Sequence, residues 1–267
     1  MAHQHTTSAP DGTSIAWSRA GSGPPVVLVH GITESAASFA PITERLATTN
    51  EVITLDLRGH GESGSASSYD LASMAGDVGT VIAAADVERP HIVGHSLGGI
   101  VATAAGSMLP FASIVDVDQS LQLDSFKAQL MPAEAMLRDA DQYQLVVDAM
   151  FEMMMGDELP ADEIARVNGL RHTEHEVVLG VWELLLTQPE DEIAATVDAA
   201  LAGYAGNDVP YLALFGIDPG DGYGEWLRER IPNSTVEYWT NGDQPFGHYP
   251  HLVDPDRFVA RLHAFWP

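Results

Sequence analysis

One stretch limits what this chain can fold into more than any other: Pro90-His91-Ile92-Val93-Gly94-His95-Ser96-Leu97-Gly98-Gly99-Ile100-Val101. Ile92 and Val93 end an apolar run that reads as a buried strand. Leu97, Ile100 and Val101 open a 3.6-residue apolar period that continues through Ala104 and Ala105. Nothing separates the two periods except one serine flanked by glycines two residues to each side. A strand can pass into a helix that abruptly only if Ser96 takes a positive φ and if positions 94 and 98 carry no side chain. The turn would hold the Ser96 hydroxyl in the open. It would also set the Leu97 N–H at a helix N-terminus, where negative charge is favoured. The spacing is not that of a dinucleotide-binding Gly-x-Gly-x-x-Gly, and no lysine follows as a phosphate-binding loop would require.

The rest of the chain repeats the strand-then-helix rhythm. Residues 12–20 alternate and read as an early edge strand. Val26-Val27-Leu28-Val29 is a continuous apolar run, as expected of a strand covered on both faces. A helix is expected over 37–48, a strand over 51–55, a helix over 71–85, the strand that enters the sharp Ser96 turn (the elbow) and its helix to Leu109, and strands over 112–118, 211–216 and 235–239. A helix over 255–265 closes the chain. The alternation predicts an α/β fold with a mostly parallel central sheet and helices on both faces. Between about Leu121 and Gly206 the rhythm stops and everything reads as helix, punctuated by Pro132, Pro160 and Pro189. The expected division is a core of residues 1–120 and 207–267 with an inserted all-helical cap over 121–206. The methionines of that segment are first of all core residues, and also suit a soft apolar lining.

Composition removes whole classes of function. The formal net charge is −26, from 12 Lys and Arg against 38 Asp and Glu. Such a surface repels nucleic acid and anionic membranes. The abundance of Ala, Gly and Asp points to a GC-rich genome rather than to the chemistry. There are no cysteines, hence no disulfide, thiol nucleophile or thiolate metal site. No apolar run reaches the roughly 18 residues of a membrane span, and no signal peptide is visible, so a cytoplasmic protein is expected. Its oligomeric state is left open between monomer and homodimer. His3 and His5 read as part of a disordered tail. His172-Thr173-Glu174-His175 lacks a metal-binding pattern and reads as a solvated turn; no metal and no cofactor are expected.

Four landmarks follow one another in a fixed order: His30-Gly31 after a buried strand, Asp56-x-Arg58-Gly59-x-Gly61-x-Ser63 after the next, Gly94-x-Ser96-x-Gly98, and Gly247-His248-Tyr249-Pro250-His251-Leu252 before the last helix. Together they resemble the α/β-hydrolase family over essentially the whole chain. The resemblance implies Ser96 as nucleophile, His248 as its base, with His251 the competitor, and an oxyanion hole from the backbone N–H groups of Ile32 and Leu97. His30 and His95 flank that site and read as structural hydrogen-bonders. Asp56, Arg58, Gly59 and Gly61 read as a structural turn. The acid departs from the family's usual pattern, in which an aspartate follows the strand 211–216. Asp118, at the end of the preceding strand, and Asp218 both remain candidates, and Asp116 alternates to the other side.

What the resemblance implies is a serine hydrolase acting on an ester, lactone or related acyl bond of a small, largely apolar substrate. The same residues could serve C–C bond hydrolysis, acyl transfer or perhydrolysis, or the fold could survive in a non-catalytic receptor. Dehalogenases and epoxide hydrolases of this fold carry aspartate where Ser96 stands, which argues against those activities.

Overall fold

The computed structural model describes residues 3–172 and 174–267. The chain begins with β1 (His3–Ser8), β2 (Ser14–Gly21) and β3 (Pro25–Val29), then α1 (Ala40–Leu46), β4 (Glu51–Leu55), α2 (Leu71–Ala85), β5 (His91–His95), α3 (Leu97–Met108) and β6 (Ser113–Val117). Six helices come next: α4 (Asp124–Leu130), α5 (Glu134–Leu137), α6 (Tyr143–Met154), α7 (Ala161–Leu170), α8 (His175–Thr187) and α9 (Glu190–Leu201). The sheet resumes with β7 (Tyr211–Phe215), α10 (Tyr223–Arg230) and β8 (Ser234–Tyr238), and the chain ends with α11 (Pro250–Val253) and α12 (Pro255–Phe265).

These eight strands form one sheet in the order β1-β2-β4-β3-β5-β6-β7-β8, and Thr240–Asn241 pairs with Gln244–Pro245 in a separate two-stranded ribbon. β1 and β2 pair antiparallel at the edge, and β3 through β8 run parallel. The central strands are buried throughout because alternate residues pack on opposite layers. Val27, Ile92, Ile114 and Ala213 face the layer that holds Val78 and Val81 of α2 and Val101 of α3. Val26, Leu28, Val93, Val115 and Leu212 face Ile42 and Leu46 of α1 and Phe258 and Leu262 of α12. This mostly parallel, two-sided sheet is the one the apolar runs predict.

Three expectations need correction. β2, expected at the sheet edge, lies between β1 and β4, because β1 pairs along its outer side. The segment around His5 is a strand, not a loose tail, and His5 stacks on Trp17 of β2 with ring centroids 4.3 Å apart. The helix expected over 37–48 is a tight turn over Ala36–Phe39 followed by α1, which ends at Leu46.

Strand order fixes where a site can form. From β3 the chain goes outward to β4, then returns past β3 to β5. In open parallel sheets a crevice opens at the carboxyl ends of strands where the winding reverses. Val29 of β3 lies beside Gly94 of β5, and His95 lies beside Val117 of β6. The segments 30–33, 96–98 and 118–119 therefore leave neighbouring strands at one end of the sheet.

Candidate active site

Ser96 links β5 to α3 with φ 52° and ψ −124°, a left-handed backbone conformation for a residue with a side chain. The sheet enforces it. The Ser96 N–H still donates to Val117 O at 2.9 Å, while its carbonyl already accepts from Gly99 N at 2.7 Å. The glycines on either side are obligatory. A Cβ on Gly94 would sit 1.9 Å from Gly98 O, and one on Gly98 would sit 2.1 Å from Val29 O. Ser96 is half-buried whereas its neighbours His95 and Leu97 are buried.

Asp118 follows β6 and also has a positive φ, 54°. Its N–H continues the ladder to Leu214 O at 2.8 Å, and its side chain turns across the end of β7. Oδ1 accepts from Gly216 N at 2.7 Å and Ile217 N at 2.9 Å, and Oδ2 lies 2.7 Å from His248 Nδ1. Two N–H donors leave one carboxylate oxygen to meet the imidazole. Asp218 lies elsewhere: its Oδ1 accepts from Gly220 N at 2.9 Å within its own exposed loop. Asp116 is buried between β6 and α3, where it accepts from Tyr211 Oη at 3.1 Å, and burial pushes its carboxyl well above the usual carboxylate range.

His248 is held at three points. Its N–H donates to Met154 O of α6 at 2.9 Å, its carbonyl accepts from His95 Nε2 at 2.8 Å, and Nδ1 meets Asp118. The Nδ1–H directed at Asp118 leaves Nε2 as an acceptor, and Nε2 is buried with no hydrogen-bond partner among the described residues. The ring packs against His95, with centroids 4.7 Å apart, and against Phe151 of α6 at 6.1 Å. Gly247, at φ 73°, lets the loop pass between β7 and the end of α6, since a Cβ there would lie 2.3 Å from Met155 O. His251 is buried with both ring nitrogens unbonded among the described residues, and burial followed by the neighbouring His95 drives it toward the neutral form.

The remaining sequence candidates have plain structural partners. His30 spans Gly31 O at 2.7 Å and Leu57 N at 3.0 Å. Asp56 accepts from Ala36 N at 2.7 Å and Glu62 N at 2.9 Å, and Arg58 binds both oxygens of buried Asp77 at 2.6 and 2.7 Å. His172 is exposed and bonded to Glu174, whereas His175 donates to Leu137 O at 2.8 Å. Thr173 lies outside the described residues.

Sequence reasoning passed over Glu34. It is buried, and its Oε2 accepts from Gly31 N at 3.3 Å while Oε1 lies 3.5 Å from His95 Nδ1. Burial works against its charge, yet the His95 ring and the hydrogen bonds around it hold the carboxyl far below the usual range. His95 is burdened by the same burial, and the Glu34 carboxylate more than offsets it, raising the imidazole above its ordinary value. No spacing rule points to residue 34; only the packing of three loops does.

A strained serine at a strand-to-helix turn, an aspartate-bound histidine from the last loop and a parallel sheet with this winding are matched by sequence. The profile of the alpha/beta hydrolase family covers residues 26–261. The chain belongs to the alpha/beta hydrolase family. An uncharacterised protein of Mycobacterium tuberculosis is 38% identical over 280 residues, covering 92% of this chain and 76% of that one. Protein phosphatase methylesterase 1 of Mus musculus is 36% identical over 118 residues, 40% of this chain and 31% of its own length. Among solved structures, the esterase RhEst1 from Rhodococcus sp. is 27% identical, with a TM-score of 0.73 and 98% of each chain covered. Within this alpha/beta hydrolase no described helix is long and apolar enough to cross a membrane.

Proposed function

We propose that the protein is a serine hydrolase that cleaves an ester, lactone or related acyl bond of a small, largely apolar substrate. Ser96 is the nucleophile, His248 the base, Asp118 the acid that orients it, and the N–H groups of Ile32 and Leu97 the oxyanion hole. In the first step Ser96 Oγ attacks the carbonyl carbon as its proton passes to His248 Nε2. The carbonyl oxygen becomes an oxyanion facing the two N–H groups. As the tetrahedral species collapses, the same proton moves to the departing alkoxide and leaves an acyl-Ser96 ester. Water, deprotonated by His248, then releases the carboxylic acid and restores the serine.

One observation carries this reading: the His248 ring is anchored through Nδ1 by Asp118 at 2.7 Å, while Nε2 has no partner among the described residues and the half-buried Ser96 follows directly on the His95 that packs against the ring. The esterase among the structural neighbours and the methylesterase among the relatives favour an ester over other acyl bonds. The helices α4–α9 are read as a cap over the site, since Met154 O and Phe151 of α6 both touch His248. The acidic surface disfavours anionic substrates and so favours neutral acyl groups.

The deciding experiment is fluorophosphonate labelling followed by hydrolysis of short p-nitrophenyl esters and of acyl lactones. Labelling at Ser96, with turnover abolished in Ser96→Ala, supports the reading. Turnover in Ser96→Ala equal to the parent's, or no labelling of the unsubstituted protein, removes it.

A further inference from the structure

Glu34 and His95 lie behind the site rather than in it, and neither is used by the steps above. We propose that they form a buried positioning couple that fastens the His248 loop and the Gly31–Ile32 turn to the elbow, keeping the three parts of the site in one register. The kinetic consequence rests on the hydrolase reading; the structural one stands on geometry.

A carbonyl can only accept, so the 2.8 Å contact between His95 Nε2 and His248 O requires a proton on Nε2. That leaves Nδ1 facing Glu34 Oε1 at 3.5 Å. The other carboxylate oxygen holds Gly31 N at 3.3 Å, one residue before the N–H assigned to the oxyanion hole. One side chain therefore joins the loop after β3 to the last residue of β5, and through that residue to the loop before α11. All three groups are buried: Glu34 is 3% exposed, His95 0% and His248 5%. A carboxylate so deeply buried is costly unless it is paired and hydrogen-bonded. Its neighbours are His30 and Ser38 from the segment after β3, Tyr249 and His251 from the loop around α11, and Arg171 from the C-terminal end of α7, with His248 and Arg166 next to His251. Of the histidines in this cluster, His95 is the one in direct contact with the carboxylate.

The tether matters because Asp118 fixes only the ring. Rotation and height of residue 248 also depend on a loop that passes Gly247 at φ 73°. With its N–H on Met154, its carbonyl on His95 and Nδ1 on Asp118, the residue keeps a single atom, Nε2, to take a proton. Release of the carbonyl lets the ring drift, and a displacement of about 1 Å costs up to about 100-fold in rate.

The test uses His95→Phe, which keeps a ring but loses the bond to His248 O and the charge contact with Glu34, His95→Gln, whose amide nitrogen can still donate to His248 O, and Glu34→Ala. Two readouts are taken on folded protein: kcat and KM for p-nitrophenyl butyrate, and the downfield proton resonance of the Asp118–His248 hydrogen bond. His95→Phe and Glu34→Ala are expected to lower kcat by about 10- to 100-fold with KM changed less than about twofold, and to broaden or lose the resonance. His95→Gln should recover most of both. An unchanged kcat and resonance in His95→Phe overturn the proposal, as does a His95→Gln protein no better than His95→Phe. Should His95→Phe fail to fold, Glu34→Ala decides by the same two readouts. Failure of the hydrolase reading looks different: the unsubstituted protein neither turns over nor labels, while the resonance in the variants still reports whether the tether holds.

Discussion

Asp118 Oδ2 meets His248 Nδ1 at 2.7 Å across 130 positions of sequence, and its other oxygen is occupied by two backbone N–H groups. The carboxylate is thus committed on both sides, and this sets the first prediction. In Asp118→Asn the amide oxygen can still accept from Gly216 and Ile217, which turns the NH2 group toward His248. Nδ1 must then accept, the proton moves to Nε2, and the ring can no longer take one from Ser96. A loss of about 10⁴ in kcat is expected. Asp218→Asn, changed in an exposed loop, should stay within about twofold. Steady-state kinetics on p-nitrophenyl butyrate with both variants separates the two aspartates.

Two glycine substitutions, one in the elbow and one in α2, should act with opposite sign. A Cβ on Gly98 falls 2.1 Å from a backbone oxygen of β3, which cannot yield without breaking the sheet. Gly98→Ala should lose more than about 3 kcal/mol or fail to fold. Gly76 lies in α2, where an added methyl group would meet nothing within 4 Å. There alanine limits the unfolded chain and should add about 0.5–1 kcal/mol. Urea unfolding midpoints of both variants check the pair.

Acid should destabilise this protein from about pH 6.5 downward. Burial lowers the His60 imidazole from 6.5 to about 3, aided by the nearby His30, and lowers His91 to about 4. In the unfolded chain both bind a proton near 6.5; in the folded chain they do so only well below. Between those values the unfolded state holds more protons, so stability falls as pH falls, by up to about 1.4 kcal/mol per pH unit for each such group. His251 and His30 shift in the same direction. His95, raised by Glu34, acts oppositely, its contribution being complete below 6.5 and lost as pH rises. Urea midpoints at about pH 7.5 and about pH 5 should differ clearly, and His91→Phe, which keeps a ring against Trp266, should narrow the gap.

What the sequence makes legible depends on whether the cause is local. Helices α2 and α12 match their expected limits because each start is marked by a capping aspartate: Asp70 accepts from Ser73 N, and Asp254 accepts from Arg257 N. The elbow is legible because its glycines mark a close approach: Gly94 against Gly98 O, within the motif, and Gly98 against Val29 O of β3. β1 is not, since His3–Ser8 is a polar run that becomes a strand only by pairing with β2. That Asp118 and not Asp218 meets His248 turns on a positive φ at a non-glycine residue, which no composition reveals. Glu34 is invisible for the same reason: its meaning comes from loops far apart in the chain.

The turn after β4 supplies a last prediction. Arg58 Nε and one terminal nitrogen bind the two oxygens of Asp77 in α2, and its other terminal nitrogen reaches Asp11 and Ser68 O, each at 3.0 Å. Arg58 is 2% exposed and Asp77 0%. Burial pushes the Asp77 carboxyl above its ordinary value even with the guanidinium beside it, so removal of the cation leaves a group that must stay buried and lose its charge. Arg58→Met should therefore cost about 3–5 kcal/mol, although it keeps the apolar stem. The double variant Arg58→Met with Asp77→Leu removes both charges and should recover much of that loss, because an apolar pair of similar volume needs no partner. A double variant as unstable as Arg58→Met alone would instead assign the cost to the lost bonds with Asp11 and Ser68. Urea unfolding of the single and double variants, read as a thermodynamic cycle, distinguishes the two accounts.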